Sequence, residues 1–206
     1  MTGVRDVKIK ICGLRRPADI EAANNAMPDY IGFVFAKSKR QISKETAAKL
    51  KEGLHKRILA VGVFVNQPID FIANLSQSGI IEIVQLHGDE DDAYIHSLRC
   101  ACGCGIIQSV GIENTLPVLP TAADYLLFDK ASAQRGGTGE TFAWDALLPY
   151  QGKPYFLAGG LSPGNVSGAL ERLSPFGVDV SSGVETGGFK DAEKINQFVQ
   201  IVRGRP

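Results

Sequence analysis

The run Val7-Lys8-Ile9-Lys10-Ile11-Cys12-Gly13-Leu14 decides how the rest of the chain is read. Apolar Val7, Ile9 and Ile11 alternate with Lys8 and Lys10, the two-residue period of a β-strand. The strand ends on a cysteine, and Gly13 lets the chain turn. Seven similar runs follow, at Tyr30–Phe35, Ile58–Val65, Ile80–Leu86, Gly105–Val110, Tyr125–Asp129, Tyr155–Ala158 and Gly177–Val180. Several are almost continuously apolar, as in Ala60-Val-Gly-Val-Phe-Val65. That composition suits parallel strands covered on both faces.

Helical patterns separate these runs. Pro17 sits near a helix start, and Ser43 opens a segment that ends at Gly53. Asp70–Ser78, Asp91–Cys100, Phe142–Leu148, Asn165–Leu173 and Asp191–Val202 read the same way. Between Thr115 and Ala123, Pro117 and Pro120 leave room only for a short or broken helix. Strand and helix alternate eight times, at a spacing of roughly 25 residues, which predicts parallel βαβ units. Eight units predict one α/β domain over residues 1–206, a compact (βα)8 TIM barrel. An open doubly wound sheet is the alternative, but no Gly-x-Gly-x-x-Gly follows the first strand.

Composition narrows the function. Basic and acidic residues balance at 22 each, which argues against a nucleic-acid partner but leaves room for a local anion pocket. No apolar run reaches the roughly 18 residues needed to span a bilayer, so no membrane partner is expected. The start, Met1-Thr-Gly-Val-Arg-Asp6, lacks a leader core, and the expected location is the cytoplasm. The four cysteines do not form a secreted disulfide framework. Cys100, Cys102 and Cys104 crowd between a helix end and a strand, without the spacing of a structural zinc site. They read as incidental packing thiols or a minor redox liability. His55, His87 and His96 show no metal-ligand spacing, and no metal is expected.

In a parallel barrel the active site lies at the C-terminal strand ends. Those ends present Cys12, Phe35 followed by Lys37-Ser-Lys39-Arg40, Asn66, Gln85-Leu-His87, Asp129, Gly159-Gly160-Leu161 and Ser181-Ser182-Gly183. Cys12 is either a buried small hydrophobe or a general base. A nearby cation or helix terminus would help it act as base, and Lys10, on the same strand face, is a candidate neighbour. Asp129 closes a buried apolar run, so its carboxyl is either paired with Lys130 or Arg135 or solvated by a pocket. Barrel-end position favours the pocket and a catalytic role. The small-residue turns after the last two strands offer backbone amides to a phosphate. Arg40 belongs either to a solvated charge run or to a carboxylate clamp. Arg135-Gly-Gly-Thr-Gly139 reads as a lid rather than a P-loop.

Lys10-Ile-Cys-Gly13, Gly32-Phe-Val-Phe35, Ser38-Lys-Arg40, Val61-Gly-Val-Phe-Val-Asn66 and Val84-Gln-Leu-His-Gly88 fall in order along the chain. Asp129, Gly136-Gly-Thr-Gly139, Gly159-Gly-Leu161 and Val178-Asp-Val-Ser-Ser-Gly-Val-Glu185 follow. This pattern resembles the phosphoribosylanthranilate isomerase family over nearly the whole length. The resemblance implies an Amadori rearrangement in tryptophan biosynthesis, with a phosphoribosyl substrate and no cofactor. It implies Asp129 as general acid, Cys12 as general base and Arg40 on the anthranilate carboxylate. It also places the substrate phosphate on Gly159, Gly160, Ser181, Ser182 and Gly183. A monomer or a homodimer is expected. Three positions depart from the family pattern: Ala143 before Trp144, Gln108 in place of a basic residue, and Thr186-Gly-Gly-Phe-Lys-Asp191 in place of a proline-glycine turn. The alternatives are an isomerase of another phosphoribosyl substrate and a non-catalytic phosphate-sugar-binding barrel. Relatives that serve both histidine and tryptophan synthesis carry an aspartate where Cys12 stands.

Overall fold

The computed structural model describes residues 6–113, 115–120, 122–131 and 144–204. Its strands are β1 (Lys8–Cys12), β2 (Tyr30–Val34), β3 (Leu59–Phe64), β4 (Ile83–Leu86), β5 (Gly105–Ile112), β6 (Tyr125–Lys130), β7 (Tyr155–Leu157) and β8 (Gly177–Val180). They close into a parallel barrel in chain order, with β1 hydrogen-bonded to both β2 and β8. The expected barrel is therefore the fold, and the open sheet is excluded because no barrel strand is left with a free edge.

Among the described residues six helices cover the barrel: α1 (Pro17–Ala26), α2 (Lys44–Glu52), α3 (Ile69–Gln77), α4 (Asp92–Cys102), α5 (Val166–Arg172) and α6 (Ala192–Val202). Four of their starts are chemically marked. Pro17 occupies the first turn of α1, where its missing N–H costs nothing. The Asp19 carboxylate accepts from the amides of Arg15 and Arg16, at 2.9 and 3.1 Å. Ser43 caps α2 through the Thr46 amide, Asp91 caps α4 through Tyr94, and Asp191 caps α6 through Glu193 and Lys194. Such caps are worth about 1 kcal/mol each.

Strand alternation sorts the side chains into two environments. Ile9 and Ile11 point outward into the layer between sheet and helices, with Ile31, Phe33, Phe64, Val84 and Phe128. The residues between them point inward. Low in the barrel this interior is apolar, built from Val61, Ile107, Leu127 and Phe156. Near the C-terminal ends it turns polar, through Lys10, Gln85, Ser109, Asp129 and Asp179. A packed floor beneath a polar mouth is what a barrel enzyme needs.

Several expected elements shift. The fourth strand starts at Ile83 rather than Ile80, because Glu82 instead accepts from the Ala60 amide (2.7 Å) and from Lys51. The fifth runs on to Ile112. No helix forms among the described residues of 115–123, as the two prolines dictate. The helix expected over 142–148 is a 3-10 turn at Trp144–Leu147, and residues 142 and 143 lie outside the described residues. A hairpin, β9 (Glu185–Thr186) and β10 (Phe189–Lys190), was not foreseen. Gly187 and Gly188 at its tip both have positive φ, at 59° and 80°. Among the described residues no helix is long and apolar enough to cross a membrane.

Candidate active site

Cys12 ends β1, directly opposite Gly32 of β2. The pairing is sterically specific. A Cβ on Gly32 would lie 2.7 Å from the Cys12 sulfur, so glycine there makes room for the thiol. Lys10, two residues earlier on the same inward face, is wholly buried. Its ammonium donates to Asp179 of β8 at 2.9 Å, from the register position directly across the barrel seam.

Charge and burial compete at this thiol. Burial pushes the Cys12 thiol above its ordinary value, and the Lys10 ammonium pulls it back without winning. The sequence expectation of a neighbouring cation is therefore met, yet desolvation dominates. Burial also works to neutralise Lys10, but Asp179 and Cys12 outweigh it and its pKa is raised. Lys10→Met would leave the Asp179 carboxylate buried without its partner. It is expected to lower unfolding stability by about 3–5 kcal/mol, read from urea denaturation.

Asp129 stands on the inward face of β6. Its carboxyl accepts from the Lys130 amide at 2.8 Å, and it lies 3.9 Å from Nε2 of His87. Burial raises its pKa to about 6, helped by the Asp179 charge and opposed by that amide and by Lys10. His87 sits just past β4, its Nδ1 held by Gln85 Nε2 (3.1 Å) and Ser109 Oγ (3.0 Å). With the Gln85 amide as donor, the neutral ring carries its proton on Nε2, facing Asp129. The sequence placed His87 at a strand end but gave it no task. Its inward parity with Gln85 was the available signal.

Arg40 is no part of a solvated run: it is buried, whereas Lys37 and Lys39 are exposed. Its guanidinium grips Glu185 with two bonds, Nε to Oε1 (2.7 Å) and Nη2 to Oε2 (2.8 Å). Lys190 donates to the same carboxylate (2.7 Å) and to the Ser181 carbonyl (2.8 Å). Burial would raise the Glu185 pKa, but Arg40 and Lys190 hold it at about 2. The unforeseen hairpin thus delivers Glu185 and Lys190 to the site and braces Arg40 against the turn after β8.

The two final turns meet each other. Gly159 and Gly160 both have positive φ, at 80° and 65°. Asn165 ties that turn down, donating to the Gly160 carbonyl and accepting from the Ser162 amide. A Cβ on Gly183 would fall 1.9 Å from the Leu161 carbonyl oxygen, so only glycine allows the turns to touch. Ser181 Oγ donates to the Cys12 carbonyl at 3.0 Å, linking this cradle to β1. Gln108 faces outward, its amide on the Glu90 carbonyl, so it lies off the site. The lid Arg135–Gly139 and the departure at Ala143 lie outside the described residues.

The structure thus sets a buried thiol, a carboxyl of raised pKa, a braced guanidinium and a two-turn cradle on one barrel mouth. That inventory suits acid–base chemistry on a small anion. Residues 9–201 match the family model for N-(5'phosphoribosyl)anthranilate (PRA) isomerase. An N-(5'-phosphoribosyl)anthranilate isomerase of Endomicrobium trichonymphae is 46% identical over 197 residues, covering 95% of this chain and 98% of that protein. The crystal structure of a phosphoribosyl anthranilate isomerase from Thermus thermophilus superposes with a TM-score of 0.85 at 29% identity, over 96% and 99% of the two chains. Another such isomerase was solved with reduced 1-(o-carboxyphenylamino)-1-deoxyribulose 5-phosphate, and matches with a TM-score of 0.81 at 32% identity over the same shares. Fold, mouth and relatives agree along almost the full length, and the chain belongs to the phosphoribosylanthranilate isomerase family.

Proposed function

We propose that this chain converts N-(5'-phosphoribosyl)anthranilate to 1-(2-carboxyphenylamino)-1-deoxyribulose 5-phosphate. The reaction is an aldose-to-ketose Amadori rearrangement, an intramolecular oxidoreduction that needs one acid and one base. The observation that carries the reading is the Asp129 carboxyl, pushed up to about 6 by burial on the same mouth as the Cys12 thiol.

Asp129, protonated, gives its proton to the ribose ring oxygen. The ring C–O bond breaks, and the anthranilate nitrogen lone pair forms the protonated Schiff base at C1. Cys12, as thiolate, then removes the C2 proton. The C2–H electrons form the C1–C2 double bond, and the iminium electrons return to nitrogen. The resulting enol-amine tautomerises to the ketone. The neighbouring lysine lowers the cost of forming the thiolate. The cradle of Gly159, Gly160, Ser181, Ser182 and Gly183 holds the phosphate, and Arg40 the substrate carboxylate. Glu185 engages two of the five guanidinium donors, which fixes the group and leaves donors for the substrate. The solved relative bound to a reduced product analogue supports this substrate class.

The test is conversion of freshly generated phosphoribosylanthranilate, followed by loss of anthranilate-type fluorescence. Loss no faster than spontaneous breakdown would overturn the reading. Arg40→Lys replaces a planar fork by a point charge. Its KM is expected to rise about 10- to 100-fold, the worth of a charged hydrogen bond, with a smaller change in kcat.

A further inference from the structure

The thiols of the Cys100-Ala-Cys-Gly-Cys104 segment play no part in the chemistry above. They lie at the opposite end of the barrel, where α4 runs into the start of β5. The helix extends to Cys102, two residues further than the sequence pattern placed its end. Gly103 then caps it in the left-handed conformation, φ 60° and ψ 9°, with its amide on the Arg99 carbonyl. This reversal swings the residues on either side of the glycine toward each other. The Cys102 and Cys104 sulfurs come to 2.7 Å, less than an ångström beyond the roughly 2.05 Å of a covalent S–S bond. Both are free thiols, half-buried, while Cys100 is exposed.

The surroundings disfavour ionisation of these thiols. Cys102 and Cys104 both pack against the main apolar layer. Burial, then the Cys102 thiol beside it, push the Cys104 thiol up to about 12, against a weaker pull from Ser76. The burial also predicts slow exchange, faster as pH rises, because the thiolate is the attacking species.

We infer that Cys102 and Cys104 are a reversible dithiol–disulfide pair, a redox modification site that a small-molecule disulfide oxidises. One cysteine thiolate attacks the small disulfide, and one small thiol leaves. The second cysteine attacks the mixed disulfide, forming the Cys102–Cys104 bond and releasing the second small thiol. Two protein thiols are oxidised, one disulfide is reduced to two thiols, and the protons are conserved.

The experiment incubates the full chain in glutathione buffers of graded oxidised-to-reduced ratio, then quenches with acid, alkylates and maps the peptides. The expected result is two alkylated cysteines, Cys12 and Cys100, and a peptide carrying the Cys102–Cys104 bond that dithiol reductant reopens. Cys100→Ser, at an exposed position, should leave that bond unchanged. Gly103→Ala should demand about a fivefold or greater increase in oxidised glutathione, because alanine resists the left-handed turn that joins the sulfurs. Four alkylated cysteines at every ratio would overturn the inference. So would stable glutathione adducts without the internal bond, or a Gly103→Ala chain that oxidises like the wild type.

Discussion

Cys12→Ser is expected to lower turnover by about 10²- to 10⁴-fold, the usual contribution of a positioned general base. Serine fills the place of the thiol, but its hydroxyl does not ionise in the working range. The Gly32 gap accepts the smaller oxygen without a clash, so the fold should survive. The effect should therefore fall on kcat, with KM little changed, in steady-state assays beside a circular dichroism spectrum of native shape. Near-normal turnover would remove Cys12 from the mechanism.

Asp129→Asn is expected to cost as much, about 10²- to 10⁴-fold, and to leave a separate mark on the pH profile. In the proposed mechanism the reacting form has Asp129 protonated and Cys12 ionised. Below pH about 6 Asp129 keeps its proton, so kcat/KM rises as the thiolate fraction grows. Above about 6 the loss of the Asp129 proton cancels that growth, and the profile flattens. It falls only once Cys12 is fully ionised, above its ordinary value of 9.0. Asparagine has no proton to lose there, so the variant should rise straight through pH 6 at its reduced level. A bend that persists in the variant would belong to the substrate phosphate or another group, and Asp129 would lose its assignment.

The barrel itself was legible because apolar strands and capped helices follow local rules that leave traces in sequence. Cys12, Arg40 and Asp129 were visible because strand ends are easy to find. Their environments were not. Asp179 is one acid in an apolar strand, and only the β1–β8 register reveals that it faces Lys10. Glu185 reaches Arg40 across 145 positions, a contact no local pattern encodes. The Cys12 thiol shows the same limit from the other side. Sequence pointed to a lysine that would lower its pKa, whereas the balance with burial depends on three-dimensional enclosure. Gln108 drew attention as a family departure, yet strand parity turns it out of the mouth.

The seam between β1 and β8 has a consequence for how the enzyme comes into being. The Lys10–Asp179 pair joins residues 169 positions apart, and Ser181 reaches back to Cys12 across the same separation. During synthesis on the ribosome, the first strand emerges long before the strand that must flank it. Until then the Lys10 ammonium lacks the Asp179 counter-charge, and Cys12 lacks the Ser181 hydroxyl on its carbonyl and the turn that follows β8. Loop closure over that distance comes late and all at once. Under the proposed mechanism catalytic competence therefore switches on at barrel closure, and a truncated or stalled chain holds Cys12 without the contacts that β8 brings.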